Sequence, residues 1–242
     1  RRNEDAFALE VLGTGSVVAV VCDGISSASA SNTAARAAAE TAATVLVEAA
    51  GDPSRDPHTA IVEAALAAGG AVAEVPWTTR TDRGMPSCTL VSALCRDGEI
   101  VLGSVGDSRA YWVDATGTRQ LTVDDSWAQA QVAAGLLDRA QAFKDPRSHA
   151  ITHWIGADAP ARHPRLAELR PERPGRLVLC SDGLWNYLER ESELGELIDA
   201  LPAGASAAAV ARALTDLAVD RGGRDNITVA IIDFDPDKGD LG

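Results

Sequence analysis

The chain has 242 residues, 46% of them hydrophobic and 24% charged, an ordinary balance for a soluble globular protein with room for a substantial core. Lys and Arg number 22 against 35 Asp and Glu, a formal net charge of −13, and that sign repels phosphate backbones and anionic lipid. Nucleic acid and membrane surfaces are excluded as expected partners, and no apolar run approaches the roughly 20 residues of a membrane-spanning helix.

The first residues, Arg1-Arg2-Asn3-Glu4-Asp5, carry neither a Met nor an apolar signal core. A trimmed fragment or a mature domain is expected, its first strand shortened. Phe7 to Leu12 and Ser16 to Cys22 read as strands joined at the turn Gly13-Thr14-Gly15-Ser16. The second is almost unbroken Val and Ala, which suits a strand buried on both faces. It stops at Asp23-Gly24. Residues 31–50 are Ala-rich and predict a helix capped by Ser31-Asn32, and 59–74 predicts another after the break at Gly51-Asp52-Pro53-Ser54.

Strand chemistry returns over Cys88 to Cys95, Ile100 to Val105 and Ala110 to Val113, the first two joined by the hairpin pair Asp97-Gly98. Residues 125–150 are mixed, with one helical stretch over Trp127 to Ala134, and predict a surface excursion. Three prolines make 164–175 a loop or an edge. Arg176 to Cys180 predicts a strand, 192–200 and 206–221 helices, Asn226 to Phe234 a last strand, and Asp235 to Gly242 a frayed polar tail. No repeat or low-complexity linker interrupts the chain, so residues 1–242 are expected to form one domain.

Acidic residues fall where these strands end. Asp23 closes one, Asp107 follows another, Asp182 follows a third, Asp225 precedes a fourth, and Glu4-Asp5 leads the first. A single Asp-Gly is ordinary turn chemistry. Repeated at the ends of buried strands lying side by side, such carboxylates can converge on one place. Like charges so placed repel, divalent cations are the usual remedy, and an all-oxygen cluster suits magnesium or manganese better than zinc.

Other signals carry less. Cys22, Cys88, Cys95 and Cys180 form no C-x-x-C pair and no disulfide scaffold, which points to a reducing cytoplasm. Cys22 and Cys180 are expected to pack in the core. Gly13-x-Gly15 lacks the third glycine of a dinucleotide loop, and a strand follows it instead of a helix. His149-x-x-x-His153, with His163 nearby, lacks the Glu of a zinc helix. Ser108 in Gly-Asp-Ser-Arg lacks the second glycine of a nucleophile elbow.

Six segments stand out, in order, across residues 3–229. They are Asn3-Glu4-Asp5-Ala6-Phe7, Val21-Cys22-Asp23-Gly24, Gly106-Asp107-Ser108-Arg109-Ala110-Tyr111, Leu121-Thr122-Val123-Asp124-Asp125-Ser126, Leu179-Cys180-Ser181-Asp182-Gly183-Leu184-Trp185 and Asp225-Asn226-Ile227-Thr228-Val229. In these the chain resembles the metal-dependent protein phosphatases of type 2C, the PPM family. The resemblance implies an α+β fold in four layers, α-β-β-α, with a central antiparallel sandwich and helices on both outer faces. It implies a centre of two Mn²⁺ or Mg²⁺ ions, with Asp23 bridging them and the Gly24 carbonyl a ligand of one. Asp5, Asp182 and Asp225 would serve the other ion, directly or through water, with Glu4 close behind. Asp107 and Asp182 would hold a third, weaker ion, and residues 125–150 fall where the family carries its flap.

On that resemblance the catalytic set is Asp5, Asp23, Asp182 and Asp225, and water activated by the metals attacks phosphorus in line. No phosphoenzyme forms, so no cysteine nucleophile is needed. Four positions depart from the pattern. Ile25 follows Asp23-Gly24 where many members place a His or Met, and it cannot donate a proton. Arg1 and Arg2 are the nearest equivalents of the phosphate-binding Arg that lies just upstream of Asn-Glu-Asp. Asn186 stands where some members place a further acid. Asp125 stands where a His is often seen, and a structural role is expected for it.

The expected activity is hydrolysis of phosphoserine and phosphothreonine in proteins. The enzyme would be monomeric, cytoplasmic and bacterial, opposing a Ser/Thr kinase and acting on its targets. One alternative is a pseudophosphatase or phosphoprotein-binding regulatory module, against which the retained Asp5, Asp23, Asp182 and Asp225 argue. Another is hydrolysis of small phosphate esters.

Overall fold

Both faces of the second strand are buried, and that organises the rest. The structure is a computed structural model that describes residues 2–78, 83–159 and 163–236. In β2 (Val17–Asp23) side chains alternate between two cores: Val17, Ala19 and Val21 enter one, and Val18, Val20 and Cys22 the other. β2 runs antiparallel between β1 (Asp5–Val11) and β4 (Leu90–Arg96), with Asp5 opposite Asp23 and Val21 opposite Val91. With β5 (Glu99–Val105) and β9 (Arg165–Leu169), the order of this sheet is β1-β2-β4-β5-β9.

The second sheet runs β11-β10-β6-β7, from β11 (Val229–Phe234) through β10 (Gly175–Cys180) and β6 (Arg109–Asp114) to β7 (Gly117–Gln120). Val21, Leu102, Trp112, Leu177 and Ile232 are among the residues that fill the space between the sheets. A two-stranded ribbon pairs β3 (Ser87–Cys88) with β8 (Ile155–Gly156).

Helices cover both outer faces. α1 (Ser31–Ala50) and α2 (Pro57–Ala73) lie on the first sheet, and α5 (Asp182–Trp185), α6 (Glu191–Asp199) and α7 (Ala207–Asp220) on the second. The expected four layers are therefore present. In a chain poor in aromatic residues the helix-to-sheet contacts rest on small side chains: Ala34, Ala35, Ala38, Ala39 and Ala42 of α1 are all buried. Within 125–150, α3 (Trp127–Ala133) and α4 (Arg139–Ala142) are short helices capped by Ser126 and Asp138.

Several local expectations are corrected. Ser31 does not cap α1: the cap position is Ala30, at φ 50°, and the Ser31 hydroxyl donates instead to Glu4 Oε1 at 2.7 Å. α2 starts two residues earlier than expected, because Asp56 accepts from the Thr59 backbone N–H at 2.8 Å and Pro57 follows it. The strand expected over Cys88 to Cys95 is interrupted at Thr89, whose backbone N–H and hydroxyl both bond the Asp23 backbone. The last strand begins only at Val229, since Asn226 and Thr228 turn toward β1. Residues 164–175 contain the edge strand β9, and β7 is too short and polar to register as a strand in the sequence. Most of the expected frayed tail, residues 237–242, lies outside the described residues.

A buried ion pair ties the second sheet to its covering helices. Asp124 accepts from Arg109 Nε at 2.9 and 3.2 Å and from Nη2 at 2.6 Å. Arg109 Nη1 donates to the Tyr111 hydroxyl at 3.1 Å, and the guanidinium lies 3.6 Å from the Trp185 ring centroid. Both charged side chains are at least nine-tenths buried. Asp124→Ala strands the guanidinium without its counter-charge, an expected loss of about 3–5 kcal/mol. The urea unfolding midpoint should drop accordingly, with an unchanged slope of the transition.

Candidate metal centre

The register of β1 on β2 sets Asp5 directly across from Asp23 at the end of the first sheet. The end of β10 delivers Ser181 and Asp182 to the same place from the second sheet. Two glycines permit the approach. A Cβ on Gly183 would stand 1.9 Å from the Asn226 carbonyl oxygen, so only glycine lets the start of α5 lie against residues 225–228. A Cβ on Gly24 would stand 2.6 Å from the Ser31 carbonyl oxygen and 2.7 Å from that of Glu4. Gly24 is thus wedged between the start of β1 and the start of α1.

The carboxylates brought together perturb one another. Burial, then the charges of Asp5, Asp182 and Asp107, push Asp23 well above the usual carboxylate range. Burial also raises Asp5, and burial with the charge of Asp225 raises Asp182. Burial and the charge of Asp182 push Asp107 up to about 7.

Neutral donors hold half of this cluster in place. Asp5 Oδ2 accepts from the Ser181 and Thr228 hydroxyls, each at 2.8 Å. Asn186 Nδ2 donates to Asp182 Oδ2 at 3.0 Å, so its amide turns to the cluster. Trp185 Nε1 donates to the Asp107 carbonyl at 2.8 Å. The Thr89 hydroxyl accepts from the Asp23 N–H at 3.0 Å and lies 2.7 Å from the Ser108 hydroxyl. The other half is orphaned: Asp5 Oδ1 and Asp182 Oδ1 are buried without any hydrogen-bond partner. Among the described residues no three His, Cys, Asp or Glu side chains already close around a common point as a finished cage. The donor set nevertheless fits a hard divalent cation: it is all oxygen, and two of its buried oxygens lack any donor.

The remaining predicted residues divide. Glu4 bonds the Ser31 and Ser26 hydroxyls, its N–H donates to Asn226 Oδ1 at 2.8 Å, and it stands beside the cluster rather than within it. Asp225 is exposed and touches the cluster through its charge on Asp182. Arg2 is exposed ahead of β1, and Arg1 lies outside the described residues. Asp125 accepts from Arg165 Nε at 2.7 Å and from the Gly106 N–H at 3.3 Å, a packing role as expected. His149 does not join His153: it stacks on Trp185, with ring centroids 5.8 Å apart. Ser181, Thr228 and Thr89 were not singled out from the sequence, and Ser108 was considered only as a nucleophile. Ser181, Thr228 and Ser108 lie inside the six segments, and only strand register reveals what they hold.

A family model described as protein phosphatase 2C matches residues 1–217. The chain belongs to the protein phosphatase 2C family. Among curated relatives, it is 30% identical to the serine/threonine phosphatase stp of Listeria welshimeri over 145 residues, 60% of this chain and 56% of that protein. It is 30% identical to the protein phosphatase PstP of Mycobacterium tuberculosis over 173 residues, 71% of this chain and 32% of that one. The chain thus spans about half the length of the Listeria relatives it matches. Among solved structures, a bacterial serine phosphatase superimposes with a TM-score of 0.81 at 25% identity, covering 96% of this chain and 92% of the other. The catalytic domain of PstP in complex with two manganese ions gives 0.69 at 25% identity, covering 95% and 90%. These protein phosphatase 2C relatives share the layered sandwich found here.

Without a cation the cluster is a source of strain, which yields a stability test. Asp23→Asn keeps the shape and removes one ionisable group from among its like-charged neighbours. In excess chelator at pH 7 its melting temperature should rise by a few degrees, the scale of about 1 kcal/mol in a chain of this size. Differential scanning calorimetry with and without manganese reads this directly. A lowered melting temperature in chelator would contradict the electrostatic account.

Proposed function

We propose that the chain hydrolyses phosphoserine and phosphothreonine in proteins, with Mn²⁺ or Mg²⁺ held at the acid cluster. The observation that carries this reading is the pair of orphaned oxygens, Asp5 Oδ1 and Asp182 Oδ1, close to Asp23, whose carboxyl is pushed well above the usual range by burial and by these same acids. In this reading Asp23 and the Gly24 carbonyl would help hold the ions, Asp5, Asp182 and Asp225 would hold them from the other side with Glu4 behind, and Asp107 with Asp182 would hold a third, weaker one. When bound, such ions supply water acidic enough to act as a nucleophile near neutral pH and offset charge on the phosphoryl oxygens. The PstP catalytic domain described with two manganese ions supports the count of two.

The chain's own residues do the positioning. Ser181 and Thr228 fix one oxygen of Asp5, and Asn186 fixes one oxygen of Asp182, so the free oxygen of each has a set direction. Thr89 anchors the backbone of Asp23 through two hydrogen bonds. Ile25 has no proton to give, so the departing serine or threonine oxygen would be protonated by water or stabilised by metal. Arg1 and Arg2, ahead of β1, are the candidates for contact with the substrate phosphate. The protein works as a cytoplasmic monomer on the targets of a Ser/Thr kinase. Four buried free cysteines are consistent with a reducing compartment, and no helix among the described residues is long and apolar enough to cross a membrane.

The test uses a phosphothreonine peptide and an aryl phosphate side by side. Turnover is expected with added manganese or magnesium and should vanish in excess chelator. Asp182→Asn should lose about a thousandfold or more in rate, some 4 kcal/mol of transition-state stabilisation, with an unchanged circular dichroism spectrum. A variant within tenfold of the unaltered chain would place the centre elsewhere. Turnover of the aryl phosphate alone would favour small esters as substrates.

A further inference from the structure

A cavity of about 520 Å³ opens between α2, the end of β5, residues 153–159 and residues 163–165, apart from the acid cluster. That volume suits the enclosure of a small organic ligand. Its walls include Leu66 and Gly69 of α2, Val105 and Ile155, with His153 and Arg165 among its polar groups.

Three observations distinguish it from a packing defect. Glycine inside a helix costs about 1 kcal/mol relative to alanine, and α2 is otherwise rich in alanine. Close packing does not demand Gly69, since a Cβ there would meet nothing within 4 Å beyond its own turn of helix. Gly70 is equally unconstrained, but of the two it is Gly69 that lines the cavity. Leu66, beside it, is 54% exposed, a large apolar side chain held at the opening.

The third observation is charge. Asp125 is the one carboxylate among the described lining residues, and it is spent: Oδ1 accepts from Arg165 Nε at 2.7 Å and Oδ2 from the Gly106 N–H at 3.3 Å. The two terminal nitrogens of Arg165 have no partner among the described residues, and the side chain is half exposed. Histidines 153 and 163 line the same space, His153 with its Nδ1 3.1 Å from the Thr152 hydroxyl and 3.6 Å from Asp125 Oδ1. In a molecule of net charge −13, this apolar cavity has nitrogen donors in excess over acids.

We propose that the cavity binds a small apolar molecule carrying a single carboxylate or sulfonate. The apolar body lies along Leu66, Gly69 and Ile155, and the anionic group takes the terminal nitrogens of Arg165, a charge-assisted contact.

The probe is 8-anilinonaphthalene-1-sulfonate, with uncharged N-phenyl-1-naphthylamine as its control, titrated into the full chain by fluorescence and calorimetry. Saturable binding at one site is expected, at least tenfold tighter for the sulfonate than for the uncharged parent. Gly69→Leu fills the cavity while improving helix propensity, so the melting temperature should hold or rise and sulfonate binding should weaken at least tenfold. Leu66→Glu, at an exposed position, should weaken the sulfonate much more than the uncharged parent. Absence of saturable binding, or equal affinity for sulfonate and parent, would overturn the proposal. So would Gly69→Leu binding the sulfonate as the unaltered chain does, which would place the probe on another apolar surface.

Discussion

Several carboxylates must be held within reach of one another at a poorly hydrated end of the sandwich, and much of the architecture answers to that demand. Like charges at short range oppose folding, and burial strengthens the repulsion. The sheets supply the opposing rigidity. Asp5 leaves the first sheet and takes hydroxyls from Ser181 and Thr228, both at strand ends of the second, so one acid side chain joins the two layers. Gly183 and Gly24 remove the Cβ atoms that would keep those strand ends apart. Two dense apolar cores flank the inter-sheet core and leave the strand ends little freedom to spread.

The buried acids fall into two kinds, and the difference is informative. Asp124 and Asp125 are each matched by an arginine, Arg109 and Arg165, and neither has a role at the cluster. Asp5, Asp23 and Asp182 have no arginine partner among the described residues: Asp5 is answered by two hydroxyls and Asp182 by an amide. A carboxylate paired with a guanidinium is already neutralised and has little left to offer a cation. Unmatched carboxylates with buried orphan oxygens are the ones a metal can use.

What could be read from the sequence follows the same division. β2, β5 and β10 were legible because apolar runs at strand length imply burial on both faces, and the acids at their ends were legible because a strand end is a place. Ser181 and Thr228 were not, since their partner Asp5 lies 176 and 223 residues away and no local pattern encodes it. The start of α1 was misread for a related reason: a serine with cap chemistry at residue 31 is recruited by Glu4, 27 residues earlier. Short edge strands such as β7 and β9 carry too little apolar alternation to stand out from loops. The layered fold was legible through the resemblance that the six ordered segments carry, while the hydrogen bonds that aim each acid became legible only with strand register.

The cysteines, idle in the proposed chemistry, have a use of their own. All four are free and buried, and burial pushes the Cys95 and Cys180 thiols up to about 12, where almost no reactive thiolate exists at neutral pH. They are also distributed by layer. Cys22 and Cys88 lie between the first sheet and its helices, Cys95 between the sheets, and Cys180 beneath the helices of the second sheet. An alkylating reagent can reach each one only when its own layer opens. The native molecule therefore carries three built-in clocks, and the order in which its thiols are modified records the order in which its layers come apart.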